Sequence, residues 1–183
     1  MSVQSEGSAT LPQRYLSALA ERLAADGCAP RWEQWPGGRV LVGRRADFRI
    51  QWAATRLHLF TIAAAVPEIG TATIEGFTRS TQQYAKEHKG GLPRGFQTGI
   101  ALFPCLVSEK VDPAAQAWAE AMQQMQFAVM ARPVVVDATR GVISAFRRSA
   151  FLGWIYAPYL RRKLTLYFDG ALQALDRNDH LIS

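Results

Sequence analysis

Between Asp137 and Asp169 the sequence holds no acidic residue. The interval carries Arg140, Arg147, Arg148, Arg161, Arg162 and Lys163, interleaved with Phe146, Phe151, Trp154, Tyr156 and Tyr159. These six charges equal the formal net charge of +6, so the rest of the chain balances to zero. Arginine forks neutralise phosphates and carboxylates, and aromatic faces stack on bases. The same mixture binds an anionic membrane surface, with Trp and Tyr at the interface. The competing explanation puts the aromatics in a core and the arginine heads on its solvated rim. Helical spacing supports that for Tyr167 and Phe168. Residues 150–156 show no simple period, which leaves Phe151, Trp154 and Tyr156 as candidate partner-contact aromatics.

A second basic stretch, residues 86–95, places Lys89 and Arg94 around Gly90-Gly91. Glycines let backbone N–H groups approach an anion closely, and Lys and Arg add charge. The spacing matches neither a P-loop nor a dinucleotide fingerprint. The stretch also follows a helix end, whose dipole disfavours anions, so a helix C-cap with solvated charges explains the same residues.

Groups suited to bond-breaking are sparse. The histidines are His58, His88 and His180, and none falls in a recognisable catalytic spacing. His88 at a helix end simply complements the negative end of the dipole. No Gly-x-Ser-x-Gly elbow occurs. Cys28 and Cys105 belong to no CxxC motif or Cys/His cluster, so neither a zinc site nor an activated thiol is expected. No metal or cofactor is expected.

Periodicity predicts a helix from Leu11 to Asp26, with Thr10 as its cap and Gly27 at its end. Short alternating segments follow up to Val66. Trp32–Trp35 and residues 39–44 flank a Pro36-Gly37-Gly38 turn; Phe48, Ile50 and Trp52 alternate with polar residues; Leu57 and Leu59 open a run that becomes apolar on both faces. Three or four antiparallel strands are expected there. A helix is predicted from Ile74 to His88 with Thr73 as its cap, then a strand from Phe96 to Val107. Asp112-Pro113 starts a helix reaching about Gln124, with Trp118, Met122 and Met125 on its core side. A strand from Val129 to Asp137 turns at residues 138–141 into another, Val142–Phe146. A last helix covers Tyr159–Leu175.

The leading order of helix, three strands, helix and strand resembles the core order of the PD-(D/E)xK nuclease fold, over roughly Leu11 to Val107. That resemblance implies a metal held by one acid and then by the acid of a [D/E]xK pair on the next strand. Asp47 is placed to be the first acid. The run Leu57–Val66 has neither acid nor lysine, and Glu68 lies beyond Pro67 without its partner. A turn residue before a strand explains Asp47 as well.

A chain of 183 residues with 49% hydrophobic and 20% charged residues is long enough to bury a core without disulfides or metals. Its apolar runs fall short of the roughly 18 residues a membrane helix needs. The start, Met-Ser-Val-Gln-Ser-Glu-Gly-Ser, lacks a basic and apolar leader, so the cytoplasm is the expected compartment. Arginine and alanine are abundant, as GC-rich bacterial-type genomes favour, which weakens any inference from net charge alone.

The expectation is therefore an α+β domain over residues 10–183 behind a flexible tail, residues 1–9. It should hold a single mixed or antiparallel sheet and about four helices. The expected role is non-enzymatic binding of an anionic partner (nucleic acid, an acidic protein or a membrane surface) through Arg140–Lys163, joined by Lys89 and Arg94. An enzyme with a site hidden from sequence and a self-associating subunit, a homo-oligomer, are the alternatives.

Overall fold

Thr10 opens the first helix as a capping box. Its hydroxyl accepts from the Gln13 N–H at 3.4 Å, and the Gln13 side chain accepts from the Thr10 N–H at 3.0 Å. The helix, α1 (Leu11–Ala25), buries Tyr15, Leu16, Leu19 and Leu23 along one face. Gly27 follows at φ +79°, a left-handed position that glycine takes without strain. That turn lets the Cys28 N–H reach the Leu23 carbonyl at 3.0 Å. The computed structural model describes residues 9–48, 56–88, 98–121, 124–126, 129–148 and 154–182. The proposed tail, residues 1–9, falls outside these but for its last residue.

Strands β1 (Arg31–Trp35), β2 (Gly38–Phe48) and β3 (Arg56–Ala65) form an antiparallel meander. The β1–β2 hairpin turns at Pro36-Gly37, with positive φ at Gly37 and Gly38. The alternation expected to continue to Trp52 enters β2 at Phe48, and residues 49–55 lie outside the described residues. Helix α2 (Thr71–His88) then carries the chain over the sheet, so that β4 (Thr98–Ser108) lies parallel to β3. The helix begins two residues before its predicted cap, Thr73, because the Gly70 carbonyl accepts from the N–H groups of both Thr73 and Ile74.

Asp112 caps α3 (Pro113–Ala121), its carboxylate accepting from the Ala114 N–H at 2.8 Å. The helix stops at Ala121, short of the expected Gln124. Residues Gln124–Gln126 instead form a short strand, β5, paired antiparallel with β6 (Val129–Ala131). The strand expected from Val129 to Asp137 is split at Arg132-Pro133 into β6 and β7 (Val134–Asp137), each parallel to β4. Proline has no N–H to give the ladder, so pairing lapses there. Strand β8 (Val142–Ala145) returns antiparallel to β7. Among the described residues the result is one mixed eight-stranded sheet, of α+β class.

The chain then passes through a 3₁₀ turn, Trp154–Tyr156, into α4 (Ala157–Leu164), a π turn, Thr165–Asp169, and α5 (Gly170–Ile182). The single predicted last helix is thus one helical path with a π insertion. A π turn breaks the regular carbonyl pairing, and Tyr15 Oη donates to the Phe168 carbonyl at 3.1 Å within it. Both sheet faces are covered. One core packs α1, α4, the π turn and α5 onto Leu57, Leu59, Phe103, Met130 and Val134. The other packs α2 and α3 onto Phe60, Ile62, Ile100, Leu102 and Val135. Strand β3 is buried from Leu57 to Ala64 because its side chains feed both cores. Among the described residues, no helix is long and apolar enough to cross a membrane.

Candidate functional site

Alternation along β2 sends Arg45 and Asp47 to the same face as Leu41, beneath α1 and α4. Asp26, at the end of α1, meets them there. On the last helical path, Tyr159, Lys163 and Tyr167 are spaced to line one side and face the same acids. Asp26 Oδ2 accepts from Arg45, from Lys163 Nζ at 2.5 Å and from Tyr167 Oη. Asp47 takes both arms of the Arg45 fork at 2.6 Å and the Tyr159 hydroxyl. Two acids and two bases cancel, so this is a closed polar brace tying α4 to the sheet. Burial opposes ionisation of Asp26, but hydrogen bonds from Lys163, Tyr167 and Arg45 outweigh it and hold the carboxyl below its ordinary range. Asp47 is lowered in the same way by Arg45 and Tyr159 against its own burial. Burial and the neighbouring acids push the phenols of Tyr159 and Tyr167 far up. Cys28 Sγ lies 3.7 Å from Tyr167 Oη, and burial raises its thiol as well, so it rests as a thiol rather than a thiolate.

The brace absorbs part of the predicted basic surface. Lys163 is buried in it. Arg147 is held by both oxygens of Asp169, at 2.9 and 2.6 Å, and also donates to Thr165. Arg140 is exposed and 3.8 Å from Asp137. Arg148, Arg161 and Arg162 are exposed and, among the described residues, have no acid in ion-pair range. Lys89, Arg94 and Phe151 lie outside the described residues. Trp154 starts the 3₁₀ turn, and Tyr156 is half-buried against the first core.

Arg132 escaped the sequence reading. It sits at the β6–β7 break, 1% exposed, and is the largest fully enclosed side chain among the described residues. Its backbone N–H donates to the Leu102 carbonyl at 2.8 Å. Its neighbours two positions away, Met130 and Val134, both face the core under α4, which places Arg132 on that face. Its guanidinium carbon is 5.4 Å from the centre of the Phe146 ring, and that of Arg148 is 5.9 Å from the same ring. Burial, with added repulsion from Arg161, pulls the Arg132 pKa down to about 10. The legible signal was an arginine between Val-Met-Ala and Pro-Val-Val-Val, a charge set in an apolar strand.

Among the described residues, groups for acid–base or metal chemistry are not assembled elsewhere. His58, on the α2 side of β3, is 5% exposed, with Nδ1 3.3 Å from Arg44 Nη2. A guanidinium only donates, so Nδ1 accepts and Nε2 carries the proton. Nε2 has no hydrogen-bond partner among the described residues. Burial, Arg44 and Arg56 keep His58 below its usual pKa. His88 stacks on Tyr84, ring centres 3.8 Å apart. Among the described residues, no cluster of three or more His, Cys, Asp or Glu is placed to hold a metal. Asp47, the candidate first acid of the nuclease resemblance, is occupied by Arg45 and Tyr159. Comparison with protein families, curated proteins and solved structures returns no match.

Proposed function

We propose that this chain is a binding domain that contacts the phosphate backbone of a nucleic acid through the face carrying Arg148, Arg161 and Arg162, with Arg132 beneath it. The observation that carries this reading is the division of the basic residues. Lys163 and Arg147 are neutralised by Asp26 and Asp169. Arg148, Arg161 and Arg162 stay exposed, in a region that supplies the whole excess charge. Arginine is suited to phosphate because its planar fork matches two oxygens at once. Aromatic contact from Tyr156 and Trp154, and a share for Arg140, belong to the same reading. The cytoplasm suits it, since Cys28 and Cys105 are buried and unlinked.

The test is binding of fluorescent single- and double-stranded oligonucleotides across a salt series. Three phosphate contacts predict a slope of log affinity on log salt of about −2 to −3. Arg148→Ala/Arg161→Ala/Arg162→Ala should abolish it in a protein that still unfolds cooperatively. Absence of binding at low salt would overturn the nucleic-acid reading. Binding to vesicles rich in anionic lipid, or to an acidic protein, with no oligonucleotide binding would transfer the face to that partner.

A further inference from the structure

We infer that the cleft between α1 and the β1–β2 hairpin binds a medium-chain aliphatic monocarboxylate, with its carboxylate on Arg39 and its chain over Leu16 and Ala65. The site draws on none of the residues of the basic face proposed above and stands or falls separately from it.

The first support is the cation. Arg39 and Trp32 sit on neighbouring strands, and the Arg39 guanidinium carbon lies 4.4 Å from the centre of the Trp32 ring. Trp32 pairs with Leu41, which faces α1, so the stacked guanidinium is held on the α1 side of the sheet. Among the described residues, no acid lies in ion-pair range of Arg39. Stacking uses the face of a guanidinium and leaves its edge of N–H donors open. That edge matches the two coplanar oxygens of one carboxylate.

The second support is the cavity. A cleft of about 390 Å³ opens beside this pair, within the size range of small-molecule sites. Leu16 and Ala65 give it apolar walls, and Gln13 lines it from α1. Ala65 falls across from Arg39, because Val40 pairs with Ala64 one step along the same ladder. The Gln13 side-chain oxygen is taken by the Thr10 N–H, which leaves its amide nitrogen as a second donor beside Arg39. Among the lining residues only Arg39 is charged, so one negative charge is matched and a phosphate dianion is not.

The third support is the direction of the cleft. An adjoining cleft of about 320 Å³ shares Gln13 and Ala65 and continues past Pro12, Val66 and Pro67. Strands about 4.8 Å apart, rising about 3.3 Å per residue, set Pro67 roughly 8 Å from Arg39. An elongated chain with its polar end at Arg39 fills both spaces. Glu109 borders the far cleft, and a second carboxylate arriving there would meet a like charge.

The experiment titrates the full chain with octanoate, 1-octanol and octanedioate at neutral pH, by calorimetry and by tryptophan emission. Octanoate should bind at millimolar concentration or below. The neutral alcohol and the dicarboxylate should each bind about tenfold more weakly, the worth of one charge-assisted hydrogen bond. Arg39→Gln, at an exposed position, should keep the parent's melting temperature and bind octanoate and octanol alike. Ala65→Leu should lose octanoate with Arg39 still present. No octanoate binding to the folded parent would overturn the site. Equal affinity for octanoate and octanol in the parent, or octanoate binding unchanged in Arg39→Gln, would do the same by removing the carboxylate contact. Octanedioate binding as tightly as octanoate would overturn the restriction to one carboxylate, and undiminished binding in Ala65→Leu would overturn the placement of the chain.

Discussion

Lys163 Nζ lies 2.5 Å from Asp26 Oδ2, joining positions 137 residues apart in the chain. Both side chains are largely shielded, and Asp26 also serves Arg45 and Tyr167. Removing one member of such a pair strands the other in a poor dielectric. The cost is about 3 kcal/mol when the pair is buried. Lys163→Ala should therefore lower the urea midpoint sharply. Arg162→Ala, on the exposed side of the same helix, should change stability by about 0.5 kcal/mol or less. Equilibrium unfolding of both variants checks this. Equal, small losses would mean that the brace does not hold α4.

The contrast between Lys163 and its neighbours shows what the sequence could reveal. The helices were readable where capping chemistry and periodicity agreed, as at Thr10 with Gln13 and at Asp112-Pro113. The meander was readable from alternation and from Pro36-Gly37. The parallel β3–β4 pairing was not, since it depends on the chain crossing over α2 and not on any local pattern. Helix length also misled: Gln124–Gln126 continues a helical spacing but is captured by β6. In the basic segment, composition located the charge without saying which cations would be consumed. Asp26 and Asp169, which neutralise Lys163 and Arg147, include a residue far away in sequence. Arg132 was hidden for the opposite reason. It lies outside the acid-free interval and joins it only through the β7–β8 hairpin and the packing of α4.

Acid should loosen the fold in a window set by the brace. Asp26 and Asp47 are both held below their ordinary range in the folded chain. The unfolded chain therefore takes up protons first as pH falls below about 4. Their stabilisation is fully present above that pH and is lost as pH drops through the lowered folded values. Unfolding free energies measured between pH 6 and pH 3 should fall steeply at the acid end. Asp26→Asn, less stable at neutral pH, should show a flatter acid limb. An unchanged limb in Asp26→Asn would remove the brace from the acid response.

His58 should add a separate step at higher pH. Burial, then Arg44 and Arg56, depress its folded pKa, so the unfolded chain binds the proton more readily. Stability is full above about pH 6.5, the ordinary histidine value, and declines as pH falls from there toward the folded pKa. His58→Gln should remove this slope and leave the carboxylate step below pH 4. A titration of the ring by nuclear magnetic resonance, giving a midpoint at or above 6.5 in the folded protein, would contradict the burial argument.

Gly43 sets how closely α1 approaches β2. A Cβ built there would fall 2.9 Å from Leu23 Cδ1 and 3.3 Å from Cδ2. Leu23 is fully buried, so it has little room to turn away. Gly43→Ala should cost about 1–3 kcal/mol, the usual penalty for overpacking a filled core. The backbone itself is not the obstacle, because Gly43 sits in regular strand pairing opposite Thr61. The strain should therefore be relieved by shortening the opposing side chain. Leu23→Ala alone should destabilise by about 2–5 kcal/mol through the cavity it leaves. Combined with Gly43→Ala, it should cost less than the two losses added together, because the new methyl enters space that Leu23 vacated. A double-mutant cycle by urea unfolding measures this coupling. Strict additivity would mean that α1 shifts as a unit to accept the methyl, and that Gly43 does not fix its spacing from the sheet.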